Sequence, residues 1–226
     1  MPRLSRTAAA NKSRRDDILD HATRLFAERG YEGTSMGDLA DRCGIRKASL
    51  FYHFESKETL YAAVLERLVR AVAAVIFQAA SAEGSFPERL DTLTDAITQV
   101  LGEQPFAARL ILREAMDWGP MIQRALGDAI EEVFGVAESF VRGGQEAGAF
   151  ARGEPKQLLL SLIGIHFIPF GIGRVVHRLL GKDPFDPEFI VLRKDAVRAE
   201  VRALVLAKPT AKEAPAPAPA RPKSRK

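Results

Sequence analysis

The chain is predicted to be all-α, about nine helices divided between a three-helix N-terminal unit and a larger helical body. Three observations carry this. Apolar residues recur three and four apart through most stretches between breakers, which is the spacing of one helix face. No segment alternates apolar and polar residues between turn formers as a strand does. Glycine or proline stands where helices of ordinary length would end or begin, at Gly30, Gly44, Pro87, Pro105, Pro120, Pro155 and Pro187. At 226 residues the chain has ample apolar content for a real core.

The first helix is expected from Arg14 to Arg29, because Ile18, Leu19, Ala22, Leu25 and Phe26 share a face, Asp16 and Asp17 sit in the first turn and Arg29 in the last. Gly30 closes it. The stretch TSMGDLADRCGIRKASLFYHFESKETL, Thr34 to Leu60, then compresses two short helices, a tight turn and the start of a third helix into under thirty residues. Ser35 is the N-cap of the first of these, with Asp38 as the capping acid three residues on, and Met36, Leu39, Ala40 and Cys43 form its inner face. Gly44 supplies a left-handed turn, and KASLFYH forms the second helix with Leu50 and Phe54 facing the same core as Ile45. Ser56 caps a long helix with Leu60, Val64, Leu65, Leu68, Val72, Val75 and Ile76 on its apolar face, ending near Ala80.

Beyond it, helices are expected from Pro87 to Leu101, from Pro105 through Trp118, and from about Pro120 to the Gly143 to Gly148 region. Pro155 opens QLLLSLIGIHFIPFGIGRVVHRLL, the most apolar stretch, read as one helix to about Leu180 that Pro169 kinks near Ile165. A last helix runs from about Pro187 to Ala207.

Net charge is +4, but residues 1–15 hold Arg3, Arg6, Lys12, Arg14 and Arg15 with no acid, and residues 207–226 hold six bases against Glu213. The body between is therefore net acidic, a pattern that points to nucleic-acid contact through basic ends. The domain reading is a basic arm at 1–13, a helix-turn-helix domain at 14–60, an effector-binding and dimerisation domain at 61–206, and a disordered Pro/Ala/Lys-rich tail at 207–226. The lone Cys43 has no partner for an internal disulfide and reads as a small core residue. No apolar run approaches the roughly twenty residues of a membrane span, and the N-terminus lacks a secretory apolar segment. A cytoplasmic location without a membrane partner is expected.

A helix that enters a major groove needs small residues toward base edges and donors toward phosphates, and KASLFYH offers both on the side away from Leu50 and Phe54. The stretch GYEGTSMGDLADRCGIRKASLFYHFESKETL, with its aromatic after Gly30, Thr34, Gly44, the Leu50-aromatic-Tyr52-His53-Phe54 block and Ser56-Lys57-Glu58 before Leu60, resembles the N-terminal domain of the tetracycline-repressor (TetR) family of transcriptional regulators. That resemblance implies Thr34, Lys47, Tyr52, His53 and Lys57 near phosphates and the Arg46 to Ser49 turn near base edges. This chain has Phe51 where the family usually has tyrosine, and Arg46 where serine or threonine is frequent. The candidate DNA-contacting set is Thr34, Ser35, Arg46, Lys47, Ala48, Ser49, Phe51, Tyr52, His53 and Lys57.

No Cys, Asp or second His stands at ligand spacing around His53, so neither a metal nor another cofactor is expected. Glu-x-x-His spacing, phosphate loops and a triad around Ser49 are missing, which argues against an enzyme. Arg113, Glu114 and Trp118 lie beside an apolar run and, with Phe134, His166 and Phe170, are the candidate effector pocket. His166 reads sooner as a satisfied core or interface histidine than as a ligand contact. Gly164, Ile168, Ile172 and Val175 are the candidate dimer seam, because a helix apolar on nearly every side needs cover that one small domain rarely supplies. The expected function is a homodimeric repressor that binds a double-stranded, pseudo-palindromic DNA operator and answers a small apolar or amphipathic effector; an architectural DNA-binding protein without an effector is the alternative.

Overall fold

A computed structural model describes residues 3–117 and 120–207, with side chains described from residue 14 onward except at 120–122, 124 and 125. Trp118, the side chains of the basic segment before Arg14 and the tail from Lys208 lie outside the described residues. Ten helices stand among them, one more than expected: α1 Arg3–Arg29, α2 Met36–Arg42, α3 Lys47–His53, α4 Lys57–Ser81, α5 Phe86–Glu103, α6 Ala107–Asp117, α7 Pro120–Glu146, α8 Pro155–Gly171, α9 Gly173–Leu180 and α10 Pro187–Val205. The one extended feature among the described residues is an isolated antiparallel bridge between Phe150 and Leu206, which ties the loop after α7 to the end of α10.

The local signals act as read. Ser35 and Asp38 form a capping box at α2, and Ser56 and Thr59 form one at α4, each satisfying an orphan N–H of the first turn. Gly30 and Gly44 take φ of 79° and 63°, the left-handed conformation that an L side chain resists. α1 runs back through the basic segment to Arg3, eleven residues before the expected start.

The extra helix comes from a break at Ile172 rather than a kink at Ile165. Pro169 has no N–H to offer the Ile165 carbonyl, but Arg193 of α10 donates its Nη2 to that oxygen at 3.0 Å. With the orphan carbonyl satisfied from outside, α8 continues to Gly171, and the chain then turns 75° into α9. No single described helix is long and apolar enough to cross a membrane, although α8 and α9 reach that length and composition as a bent pair.

The head has no closed core of its own. Ile18, Leu25, Phe26, Leu39, Leu50 and Phe54 pack in one cluster with Leu60, Tyr61, Val64, Leu65 and Leu68 of α4 and with Ala107, Leu110 and Leu126 of the body. The cluster thus crosses the boundary expected at residue 60. A second cluster joins Leu90, Phe140 and Phe150 to Val197, Val201 and Val205, and a third joins Val72, Ile97, Leu101, Ala108 and Phe170. α5 and α10 are further bound by Arg198 to Asp95 and by Arg202 to Asp91 at 3.0 Å.

Two glycines of α7 give opposite expectations. A Cβ on Gly144 would collide with the ring of Phe150, which is itself held edge-on by Phe86 and Phe140 at 5.6 Å, so Gly144→Ala should lower unfolding stability by about 1–3 kcal/mol. A Cβ on Gly135 meets nothing within 4 Å, and Gly135→Ala should raise stability by about 0.5–1 kcal/mol. Urea unfolding of both variants checks the pair; two shifts of the same sign would contradict the packing described.

Candidate functional site

α3 is anchored from one side and open on the other. Leu50 is wholly buried and Phe54 nearly so, while Lys47, Ala48, Ser49, Phe51 and Tyr52 are exposed. Arg46 is the exposed N-cap residue of α3 and makes no side-chain cap bond, so its guanidinium is uncommitted to the helix end. Tyr52, 76 % exposed, carries its hydroxyl outward beside the half-buried His53, whose ring stands edge-on to it at 5.3 Å. Lys47 reaches over the Phe51 ring at 5.9 Å. A short helix with two small residues, a hydroxyl and two bases on its open face has the chemistry of base and phosphate contact.

Three members of the candidate set are engaged elsewhere, which corrects the simplest reading of them. Thr34 is buried and donates its hydroxyl to the Gly30 carbonyl at 2.8 Å, closing the turn after α1 rather than facing solvent. Ser35 is exposed but its hydroxyl and amide are spent on Asp38, whose carboxyl they hold below the usual carboxylate range. Lys57 donates to the Tyr31 carbonyl at 3.0 Å and lies over the Tyr31 ring at 4.1 Å. Tyr31 in turn donates to Glu58 at 2.7 Å, and burial followed by that carboxylate pushes its phenol upward. These residues shape the head that presents α3.

Below the head an apolar cavity of about 500 Å³ opens between α4, α5, α6, α7 and α8. Val69, Val72 and Ile76 of α4, Ile111, Leu112 and Ala115 of α6, and Phe134 of α7 are among its walls. Phe134 and His166 line it, whereas three other pocket candidates do not. Phe170 is buried in the third cluster against Phe185. Arg113 and Glu114 turn the other way, to the head: Arg113 Nη2 donates to the Phe26 carbonyl at 2.8 Å, and Glu114 accepts the hydroxyl of wholly buried Tyr61. Burial first, then Glu114, raises the Tyr61 phenol. The helical period explains the correction, since residues 113 and 114 lie on a different side of α6 from 111, 112 and 115.

His166 is 5 % exposed, and its Nδ1 has no hydrogen-bond partner among the described residues. Burial, with a smaller contribution from the Arg193 charge, lowers its pKa to about 4, so the ring is neutral at pH 7. Arg193 was not singled out by sequence reasoning. The available signal was Pro169, which guarantees an orphan carbonyl four residues earlier and so demands a donor.

Of the candidate seam, Ile168, Ile172 and Val175 are 43 to 51 % exposed, and Gly164 is half-buried, with open space for 4 Å around the point where a Cβ would stand. Leu160, Leu179, Leu180, Val191, Leu192 and Leu204 add exposed apolar area on α8, α9 and α10.

A helix-turn-helix head presenting α3 is fused through a shared core to a cavity-bearing helical body, the architecture of a nucleic-acid-reading head on a ligand-sized cavity. Residues 18–64, the head alone, match the family model for bacterial regulatory proteins of the tetR family. Over 47 residues it is 51 % identical to the biofilm operon icaADBC HTH-type negative transcriptional regulator IcaR of Staphylococcus aureus (strain Newman), a match covering 21 % of this chain and 25 % of that protein. The match therefore spans about a quarter of the length of these curated relatives. Similar solved folds include the ketosteroid transcriptional regulator KstR2 of Mycobacterium tuberculosis, with TM-score 0.71 and 21 % identity over 86 % of this chain and 96 % of that one. AibR, solved with isovaleryl coenzyme A and operator DNA, has TM-score 0.65 and 21 % identity over 84 % of this chain and 97 % of that one. At such identity these two share the fold.

If Lys47 binds phosphate, Lys47→Ala should weaken binding to every DNA sequence alike and make the log–log salt dependence shallower by about one. Fluorescence anisotropy across a salt series on several duplexes measures it. A loss confined to one base position would instead assign Lys47 to base readout.

Proposed function

We propose that the chain is a homodimeric, effector-responsive repressor that binds a pseudo-palindromic DNA operator in the cytoplasm. The observation that carries this is the double duty of α6. Ile111, Leu112 and Ala115 form part of the cavity wall, while Leu110 is buried in the head cluster and Arg113 and Glu114 hold Phe26 and Tyr61. An occupant that displaces α6 must therefore shift the end of α1 and the start of α4, the two elements that seat α2 and α3.

Two relatives support the reading: IcaR is named a negative transcriptional regulator, and AibR was solved with both a coenzyme A thioester and operator DNA. The exposed apolar residues of α8 and α10 support a dimer through these helices, since a monomer seldom leaves such area in water. Two heads related by a two-fold axis call for half-sites about 34–36 Å apart or a multiple of that. A useful switch needs the effector to prefer one head spacing by about 1–3 kcal/mol.

Selection of bound fragments from the source genome by the full chain tests the function. An enriched inverted repeat is expected; enrichment of bent or AT-rich DNA without a repeat would contradict it. For the dimer, Ile168→Arg would leave an unpaired guanidinium in the seam, and sedimentation at micromolar concentration should then show monomer with operator binding lost. A stable Ile168→Arg dimer would place the interface elsewhere.

A further inference from the structure

We infer that the cavity takes a neutral, mainly aliphatic molecule carrying one hydroxyl or carbonyl oxygen, with His166 as its polar contact. The inference rests on the effector-responsive reading above and names the chemical class that reading leaves open.

The wall chemistry sets the class. Among the described lining residues only Thr94 and His166 have a side-chain nitrogen or oxygen; the rest are aliphatic, alanine or phenylalanine. A cavity of about 500 Å³ with such walls favours apolar volume and offers very few places for polar atoms. No lysine or arginine lines it among the described residues. Arg193, the cation that acts on His166, is committed to the Ile165 carbonyl at 3.0 Å and to Glu200 at 3.5 Å. A carboxylate or phosphate would enter without a counter-charge and lose its hydration, which opposes binding strongly.

His166 supplies what an alkane would waste. Its Nδ1 is buried without a partner among the described residues, a standing cost that a ligand oxygen in the adjoining cavity removes once the ring turns to meet it. The ring is neutral and so presents one donor and one acceptor. A hydroxyl meets either tautomer, and a carbonyl oxygen meets the ring nitrogen that bears the proton. Of the two polar side chains on the wall, His166 is the one with a buried atom lacking a partner among the described residues, and one such oxygen on an otherwise aliphatic body answers it.

The test uses the full chain at pH 7.5, with Nile red as a neutral fluorescent occupant and four competitors of equal chain length: octane, 1-octanol, 2-octanone and octanoate. Octanol and octanone should displace the dye at concentrations at least about tenfold below octanoate. In His166→Leu their affinity should fall about three- to tenfold while that of octane holds or improves, because the hydrogen bond is lost and the wall becomes uniformly apolar. His166→Gln, which keeps a polar side chain, should retain part of the preference and guards against a folding defect in His166→Leu. Octanoate binding as well as octanol, or octanol binding unchanged in His166→Leu, would overturn the inference and leave the effector reading standing. If none of the four competes while the chain still binds its selected DNA, both the inference and the effector reading fall.

Discussion

The burial of Tyr61 is the constraint on which the rest of the structure depends. Its side chain has no exposed surface, meets the Phe26 ring edge-on at 4.6 Å and the Tyr31 ring at 5.0 Å, and gives its hydroxyl to Glu114. A buried phenol needs an acceptor, and the one it finds belongs to α6 of the body rather than to the head. The three-helix head therefore completes its core only when α4 and α6 are in place. Arg67 reinforces the seam from the other side, bonding Thr23 at 3.1 Å and Asp20 at 2.8 Å. The geometry of the head that presents α3 and the geometry of the body are then two aspects of one packed cluster.

A second local problem, solved in the body, determines the character of the cavity. Pro169 lets the most apolar segment remain helical only because Arg193 fills the vacancy at the Ile165 carbonyl. That places a cation beside His166 and, together with burial, keeps the imidazole neutral. The cavity wall consequently has a polar contact without a charge. The same α8 lines the cavity with Leu159, Ile163 and His166 and leaves Ile168 exposed on another side.

Much of this was legible in the sequence because it is encoded by local rules. The caps at Ser35 and Ser56, the positive-φ glycines 30 and 44, and the inward Leu50 and Phe54 each follow from residues within four positions of one another. What depends on distant partners was not legible. Thr34 and Lys57 look like free donors in a family pattern, yet both are consumed by carbonyls at the end of α1 and the turn after it. Arg113 and Glu114 look like pocket residues because they adjoin an apolar run, but their partners Phe26 and Tyr61 lie 87 and 53 positions away. The break at Ile172 falls between Gly171 and Gly173, but that α8 runs straight past Ile165 was not legible, because the bond that allows it comes from α10, 28 residues on.

The central claim is that cavity and DNA are coupled through α6 and its hold on the head. Operator affinity, measured with and without a saturating cavity ligand in the wild type and in Arg113→Ala, tests it most directly. The Phe26 carbonyl keeps its bond from Gly30 at 2.9 Å in that variant, so the head retains its own turn. The account predicts a ligand effect of about fivefold or more in the wild type that shrinks toward unity in Arg113→Ala, with ligand affinity in the absence of DNA little changed. An equal ligand effect in both proteins would contradict it.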